Sequence, residues 1–432
     1  MKYIICIIFY LAFFPGILPE VNCGLFYMSL LRLCIISLPF VWIIERKIRR
    51  KKLEIILEGQ NWYSIIFMFV WLGYGIISIV WAKSFSGWSH AIYFLGIGCV
   101  CAFMFTIAEL KMEDFVFLLK NFAVIIGLQN LLGWYEVITH NYLFALEERQ
   151  AIMRSSESYY PITTFTNQND FALFLLFSIC MLVVLLLLCK TLCGKLVVGV
   201  IICSSFVLLV LTDSRGALLA LLLGISVLGL LKIEFKNRML IICCISIVIL
   251  LGSILMFHSF WKELLTFILN PDRVLGDARV SSDSVRWNLL RNGVVFLFMS
   301  KGLGIGAGNT EYWMANYAQY PVRTFTNMHN WWMENLTNYG VLIFILYVIF
   351  YVILIYHLYS KMKYASQKKV RIFSMGCLLF MIIYIIGCMS SSSNFTKEWL
   401  WLSWAMVIAF EGMEEGEHKK TNDVIRRKEV NF

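Results

Sequence analysis

A histidine, an asparagine and a glutamate lie close together in the stretch HNWWMEN, as His329, Asn330 and Glu334. A neutral imidazole can accept a proton from a hydroxyl group near pH 7. A helix N-terminus favours that neutral form and also attracts phosphate. We therefore interpret His329 as a candidate general base, with placement at a membrane interface as the alternative. Glu334 is four residues from Asn330 and could orient a hydroxyl or a sugar, or could stay hydrated at a rim.

Several arginines have the chemistry of diphosphate binding, because a guanidinium can hold phosphate oxygens bidentately. Arg215 lies in TDSRGA, a short turn between two apolar runs, and Arg286 lies in SVRWNLLRNG. The alternatives are a solvated Asp–Arg turn for Arg215 and lipid headgroup anchoring for Arg286. Arg291 follows Arg286 by five residues, so the two cannot readily share a ligand from one helix face. Arg323, in YPVRTFTN, is a further candidate.

The elements that would position these residues are membrane helices. The chain has 432 residues, of which 60% are hydrophobic and 15% charged, whereas soluble domains have about 25% charged residues. Its apolar runs are long enough to cross a hydrocarbon core of about 30 Å as helices. Backbone in lipid must satisfy its own hydrogen bonds, so these runs are expected to be helical. The composition predicts an all-α polytopic membrane protein.

We predict about twelve transmembrane helices. The predicted spans are 4–19, 24–44, 61–81, 89–108, 115–137, 170–189, 196–212, 217–232, 239–258, 336–358, 372–390 and 399–411. The first run is interpreted as a span and not as a cleaved signal, because no small-x-small site follows it.

The net charge is +10. We interpret the distribution of the basic residues as a sign of membrane topology, and not as a sign that the protein binds nucleic acid. Most of the 37 Lys and Arg residues lie on one set of alternating loops, with dense clusters at 46–52, 361–371 and 419–428. The positive-inside rule then places both termini in the cytoplasm and the candidate site on the outer face.

The predicted organisation is a single integral membrane domain over residues 1–432. It includes a first outer loop at 138–169, a large outer loop at 259–335 between spans nine and ten, and a cytoplasmic tail at 412–432. Within the large loop, 284–300 has the apolar density of a helix on or dipping into the membrane face. The glycines of 302–308 predict a tight turn or a close backbone approach to a ligand. Asn327 is the expected N-cap of the helix that continues into span ten.

The sequence predicts neither a cofactor nor a metal site. The predicted outer loops contain no HExxH, P-loop, Asp-x-Asp pair or carboxylate cluster. Most of the 13 cysteines lie inside apolar runs and are interpreted as small hydrophobes, which argues against a disulfide framework or zinc ligation. The aromatic residues Trp313, Trp331 and Trp332 fit either an interface belt or stacking platforms for sugar rings.

Four pieces of the chain, taken in order, resemble the O-antigen ligase and polymerase superfamily of bacterial envelope glycosyltransferases. They are TFTNQNDFALFLL (164–176), TDSRGALLALLLG (212–224), VRWNLLRNGVVFLFMSKGLGIGAGN (285–309) and HNWWMENLTNYGVLIFILY (329–347). The resemblance covers about residues 160–360. One departure is Lys301, which occupies the place of a proline in the family's Ser-Pro-like step before the glycine bend.

This resemblance implies a GT-C-like, metal-independent glycosyltransferase in the bacterial cytoplasmic membrane. Its donor would be a polyprenyl-diphosphate-linked glycan, and its acceptor a growing glycan, a lipid or a protein. Arg215 and Arg286 would hold and neutralise the departing diphosphate, and His329 would act as base on, or position, the acceptor hydroxyl. The other residues expected to bind substrate are Asn330, Glu334, Arg291, Arg323 and Asn169.

Three functions remain open at this point. We favour polymerisation of the repeat units of a capsule, an exopolysaccharide or an O-antigen, with membrane lipids around the protein and a chain-length regulator as a further partner. The first alternative is ligation of a glycan to a lipid or protein acceptor. The second alternative is a polysaccharide exporter or flippase, whose charges should line the spans and not the outer loops.

Overall fold

The computed structural model describes residues 1–14, 20–22, 27–50, 52, 61–144, 159–232, 282–389, 391 and 393–413. These parts of the chain are mostly helical. The helices are α1 (Lys2–Ala12), α2 (Leu30–Ile48), α3 (Trp62–Ile77), α4 (Phe85–Ile107), α5 (Met112–Thr139), α6 (Gln168–Leu188), α7 (Leu192–Leu211), α8 (Arg215–Lys232), α9 (Ser282–Met299), α10 (Thr310–Tyr317), α11 (Trp331–Tyr364), α12 (Lys368–Gly387) and α13 (Glu398–Gly412), with a 3-10 turn at Ser78–Val80.

One antiparallel hairpin departs from the all-α prediction. It pairs β1 (Glu20–Asn22) with β2 (Tyr27–Ser29) between α1 and α2. Strands this short have no period that would separate them from the apolar runs on either side. The predicted ninth span, 239–258, lies outside the described residues.

The prediction of a polytopic membrane protein is confirmed. Within the described ranges, seven helices are long and apolar enough to cross a membrane: α3 with its 3-10 turn, α4, α5, α6, α7, α11 and α12. Helices α1 and α8 are apolar but shorter. The count of twelve spans and the GT-C-like architecture stay predictions.

The helices pack closely where one of them has a small residue. Helix α4 meets α13 at Gly98, where an added Cβ would lie 2.4 Å from the ring of Trp401. Helix α12 meets α6 at Gly376, where an added Cβ would lie 2.1 Å from Val184. Membrane helices lack a hydrophobic force between them, so such close contacts supply much of their attraction. Helix α12 thereby joins α6, α8 and α11 into one bundle.

Helices α6, α11 and α13 begin at the same end of the bundle, which we call the site end because His329 lies there. The Trp331 backbone N–H at the start of α11 donates to the carbonyl of Cys388, just after α12, at 3.3 Å. Asp170 in the first turn of α6 pairs with Lys397, which precedes α13. These contacts bring the beginnings of three helices together.

The glycine-rich bend fits into a break in α11. Gly340 has φ 76° and ψ −179°, which interrupts the helix after its first turns. The freed backbone pairs with the bend: Ile305 N–H donates to Thr337 O and Val341 N–H donates to Gly302 O, both at 2.9 Å. The sequence predicted a tight turn or a close backbone approach to a ligand at 302–308, and the structure shows a close approach to the backbone of α11.

A second, smaller core lies beside the site end and holds α9 and α10. Its buried members are Val285, Leu289, Phe296, Ile305, Trp313, Met314, Val322 and Met328. Helix α9 crosses α11 at Gly293, where an added Cβ would lie 3.0 Å from side-chain atoms of Met333 and Thr337. The helix predicted at 284–300 is confirmed, while its contact with the membrane surface stays a prediction.

Gly340→Ala is expected to destabilise the protein strongly. The φ/ψ region of Gly340 is essentially restricted to glycine, and strain of this kind costs about 1–3 kcal/mol. The added Cβ would also lie 2.4 Å from the Gly302 carbonyl oxygen. Thermal unfolding of the detergent-solubilised variant should occur well below that of the wild type.

The matched control is Gly73→Ala in α3, where an added Cβ meets no atom within 4 Å. Alanine has the higher helix propensity, so this variant should unfold at or slightly above the wild-type temperature. Equal unfolding temperatures for the two variants would show that the break in α11 carries no strain.

Candidate active site

His329 lies in the segment that leads from the second core into α11. Its φ of 48° is left-handed, and its backbone N–H donates to Asn327 Oδ1 at 3.0 Å. Helix α11 begins at Trp331, and Asn330 is its N-cap, with Oδ1 accepting from Met333 N–H at 3.0 Å. The prediction of Asn327 as N-cap is therefore wrong, because Asn327 holds the turn that presents His329.

The electrostatic environment favours the neutral imidazole. Burial lowers the pKa of His329 below its ordinary value, and the Arg286 guanidinium lowers it further. Asp170 opposes this by raising the pKa, while Lys397 lowers it and the Ser391 backbone raises it slightly. His329 should thus be unprotonated at neutral pH and able to accept a proton. Its Nδ1 atom is buried, and no hydrogen-bond partner reaches it among the described residues.

Glu334 lies one turn into α11 and is buried, with 7% of its surface exposed. Its Oε1 atom accepts a hydrogen bond from Ser393 Oγ at 2.6 Å. Burial excludes the interpretation that Glu334 stays hydrated at a rim. It faces the segment after α12, so a role in orienting substrate stays a prediction.

Asp170 and Lys397 form a buried ion pair that the sequence did not reveal. Asp170 Oδ1 lies 3.1 Å from Lys397 Nζ, with 3% and 8% of the two side chains exposed. Asp170 Oδ2 accepts hydrogen bonds from Thr166 Oγ1 at 2.8 Å and from Asn167 Nδ2 at 3.0 Å. Asn167 is also the N-cap of α6. The pair therefore anchors the start of α6 to the segment before α13.

Arg286 and Arg291 have different surroundings on α9. Arg286 is half-buried, and its charge acts on His329. The guanidinium of Arg291 lies 3.8 Å from the centre of the Tyr320 ring. Of the two arginines, Arg286 is the one whose charge affects His329, and the expectation that they do not share one ligand stays a prediction.

Arg215 is the first residue of α8 and is exposed. Five residues further along, Ala220 packs 3.9 Å from the position that a Cβ at Gly387 would occupy, at the end of α12. Because Cys388 follows directly and contacts the start of α11, Arg215 lies at the site end. Binding of a diphosphate by Arg215 is part of the function proposed below.

The remaining predicted residues lie near the site but have other surroundings. Arg323 is exposed and has a left-handed φ of 53°. Asn169 lies in the first turn of α6, half-buried beside Asp170. The side-chain oxygen of Asn330 caps α11. A role for these side chains in binding substrate stays a prediction.

The three tryptophans are structural, so neither a belt nor a sugar platform describes Trp313 or Trp331. Trp313 is 9% exposed in the second core, and Trp331 is 3% exposed. Trp331 Nε1 donates to Tyr347 Oη at 2.8 Å. Trp332 is half-buried and donates from Nε1 to the Ile385 carbonyl at 2.9 Å. Trp332 thus joins the start of α11 to α12, and Trp331 packs against Trp401 of α13.

Metal ligation has little support in the described part of the chain, where no group of three or more His, Cys, Asp or Glu side chains converges. The two carboxylates nearest His329 along these elements already have protein partners. Asp170 pairs with Lys397, and Glu334 accepts from Ser393.

Two comparisons with known proteins agree with this geometry. Residues 198–348 match the model of a family described as O-antigen ligase. The chain is also 27% identical over 393 residues to the teichuronic acid biosynthesis protein TuaE of Bacillus subtilis (strain 168), an alignment that covers 90% of this chain and 80% of that protein. The resemblance to the O-antigen ligase and polymerase superfamily is confirmed.

The O-antigen ligase match contains most of the predicted site. Arg215, Arg286 and His329 all lie within residues 198–348, as do Asn330 and Glu334. Asp170 and Lys397 lie outside it, on either side. Asn167 and Asp170 form a capping pattern from which the start of α6 could have been predicted. In contrast, no sequence pattern indicates that Asp170 pairs with Lys397, which lies in a distant part of the chain.

Proposed function

We propose that this protein transfers a polyprenyl-diphosphate-linked oligosaccharide to a sugar hydroxyl on the outer face of the membrane. The observation that carries the proposal is that His329, half-buried just before the start of α11, lies where the positive charge of Arg286 acts on it and lowers its pKa. A hydroxyl nucleophile requires a neutral base to take its proton. A diphosphate leaving group requires positive charge, which a cation and a helix N-terminus supply.

In the proposed reaction, the acceptor hydroxyl oxygen attacks the anomeric carbon of the donor sugar. The bond from that carbon to the diphosphate oxygen breaks, and the bonding electrons leave with polyprenyl diphosphate. His329 takes the proton of the hydroxyl as the new glycosidic bond forms. General bases of this kind contribute about 10²–10⁴-fold to a rate.

Arg215 and Arg286 are proposed to neutralise the diphosphate. Charge develops on its oxygens as the glycosidic bond breaks, so guanidiniums placed there beforehand stabilise the transition state without reorganising. Arg215 is the first residue of α8, and Arg286 lies near the start of α9. The N-terminus of α11 adds partial positive charge from its macrodipole.

Polymerisation of repeat units is favoured over the two alternatives. The relative from Bacillus subtilis is named for teichuronic acid biosynthesis, which supports a role in making an envelope polysaccharide. The family description O-antigen ligase keeps transfer to a lipid or protein acceptor as the second candidate. An exporter has less support, because the buried ion pairs Arg32–Glu398 and Asp170–Lys397 lie at helix ends and not along spans.

Purified protein given only its polyprenyl-diphosphate-linked repeat unit, in the presence of EDTA, is expected to make a ladder of longer lipid-linked glycans. The repeat unit serves here as both donor and acceptor, so a ladder identifies a polymerase. Separation of the products by chain length is the measurement.

Each other outcome contradicts a stated part of the proposal. Products that appear only when a separate lipid or protein acceptor is added would identify a ligase. A ladder that EDTA abolishes would contradict metal independence. No transfer to any acceptor would overturn the assignment as a glycosyltransferase.

A further inference from the structure

The segment that leads into the first residue of α13 makes polar contacts with α6 and α11. We call residues 393–398 the clamp segment. Lys397 Nζ donates to Ser393 O at 3.0 Å and to Asn394 Oδ1 at 3.1 Å, which closes the segment on itself. Ser393 Oγ then donates to Glu334 in α11. The segment is thus an ordered part of the site, outside the O-antigen ligase match at 198–348.

Two adjacent ion pairs fix the clamp segment from opposite sides. Lys397 pairs with Asp170 of α6, and Glu398 accepts from Arg32 Nε of α2 at 2.6 Å. All four side chains are at most 11% exposed. The Arg32 guanidinium also lies 5.3 Å from the centre of the Tyr93 ring. Buried ion pairs are costly to desolvate, and their best-attested use is to select one packing arrangement of the helices over others.

The Asp170–Lys397 pair is joined to the start of α11 through Ser393, whose carbonyl accepts from Lys397 Nζ and whose Oγ donates to Glu334. The charged groups that affect the pKa of the imidazole are Arg286 from α9, Asp170 from α6 and Lys397 from the clamp segment. Glu311 of α10 accepts from Asn327 Nδ2 at 3.3 Å, and Asn327 in turn holds the His329 backbone. The charge that acts on His329 is therefore set by one arginine and one ion pair.

We propose that Asp170 and Lys397 are positioning residues for His329: they fix the clamp segment against the start of α11, which follows His329, and they set the local charge that its imidazole experiences. The two act through His329 and do not touch the reacting atoms. The proposal rests on the function given above, because it concerns the same reaction.

The direction of each effect follows from charge. A neutral base is active above its pKa, so activity falls as the pH drops through that value, which gives the acid limb of the pH profile. Asp170 favours the protonated imidazole, so Asp170→Asn should move the acid limb to lower pH. Lys397 disfavours it, so Lys397→Met should move the limb to higher pH.

The experiment measures the pH profile of kcat/KM for polymerisation by the purified full-length protein. We expect opposite displacements of the acid limb for Asp170→Asn and Lys397→Met, and no displacement for Lys397→Arg, which keeps the charge. The control Thr166→Val removes a hydrogen bond to Asp170 without changing a charge, and its limb should match the wild type.

The double variant D170N/K397M keeps the experiment decisive if a single variant fails to fold, since it leaves no unpaired buried charge. Its acid limb should lie between the expected positions of the two single variants. An unmoved limb in the folded variants, or displacement of both single variants in the same direction, would overturn the positioning role. A wild-type protein that transfers no sugar would instead overturn the proposed function.

Discussion

Replacement of His329 by asparagine is expected to abolish long-chain glycan in cells while leaving the membrane level of the protein intact. Asparagine tolerates the left-handed φ of 48° at this position better than most residues, so the fold should be kept. It cannot accept a proton near pH 7, and loss of a general base lowers a rate by about 10²–10⁴-fold. Electrophoresis of extracted polysaccharide, beside an immunoblot of the membrane fraction, measures both quantities.

His140→Asn is the matched control. His140 follows α5 with a φ of 55°, is exposed, and its ring stacks on Tyr159 at 4.3 Å between centroids. The two substitutions therefore make the same chemical change in the same backbone conformation. Normal chain length in His329→Asn, or equal loss in the two variants, would show that His329 is not the base.

Alanine substitution of Arg215 or Arg286 is expected to lower transfer by about 10²–10³-fold each, as does removal of one donor to a developing negative charge in other enzymes. Lysine at either position should restore part of the activity, because it keeps the charge but loses the bidentate geometry. Quantification of the initial rate of chain extension by the purified variants is the measurement.

Lys83→Ala is the control for loss of a cation at the same end of the bundle. Lys83 is exposed, and it lies in the turn before α4 whose backbone contacts Asn309. Its replacement should leave the rate near the wild-type value. A loss as large as that of the two arginine variants would mean that bulk positive charge, and not a defined diphosphate site, governs the reaction.

The helices and the outline of the site were predictable from sequence for a simple physical reason. Lipid requires helices wherever an apolar run is long enough, so composition alone determines most of the architecture. The spans predicted at 89–108 and 115–137 correspond to α4 and α5. His329 and Arg286 became candidates because an imidazole can accept a proton near pH 7 and a guanidinium can bind phosphate.

The break at Gly340 could not be predicted, because the run from 336 to 358 reads as one continuous helix. Its cause lies elsewhere in the chain: the bend at 302–308 provides hydrogen bonds for the backbone that the break frees. The N-cap of α11 is Asn330 and not the predicted Asn327, for a related reason. Both asparagines can cap, and the turn that presents His329 uses Asn327.

The electrostatic framework of the site was also beyond sequence reasoning. Asp170 and Lys397 meet because α6 and α13 begin at the same end, and only the packing of the bundle establishes that. The same packing buries Trp331 and Glu334, which composition placed at an interface or a rim. Residue type thus indicated which groups can react, while long-range contacts decided which of them are shielded from water.

The most direct test of the separate roles of these residues is binding of polyprenyl diphosphate, the leaving group, to the purified protein. In the proposed reaction, His329 transfers the proton, and Arg215 and Arg286 bind the diphosphate. His329→Asn should therefore bind polyprenyl diphosphate with nearly wild-type affinity although it transfers no sugar, whereas Arg215→Ala and Arg286→Ala should bind it at least about tenfold more weakly. Wild-type affinity in both arginine variants, or loss of binding in His329→Asn alone, would contradict the account.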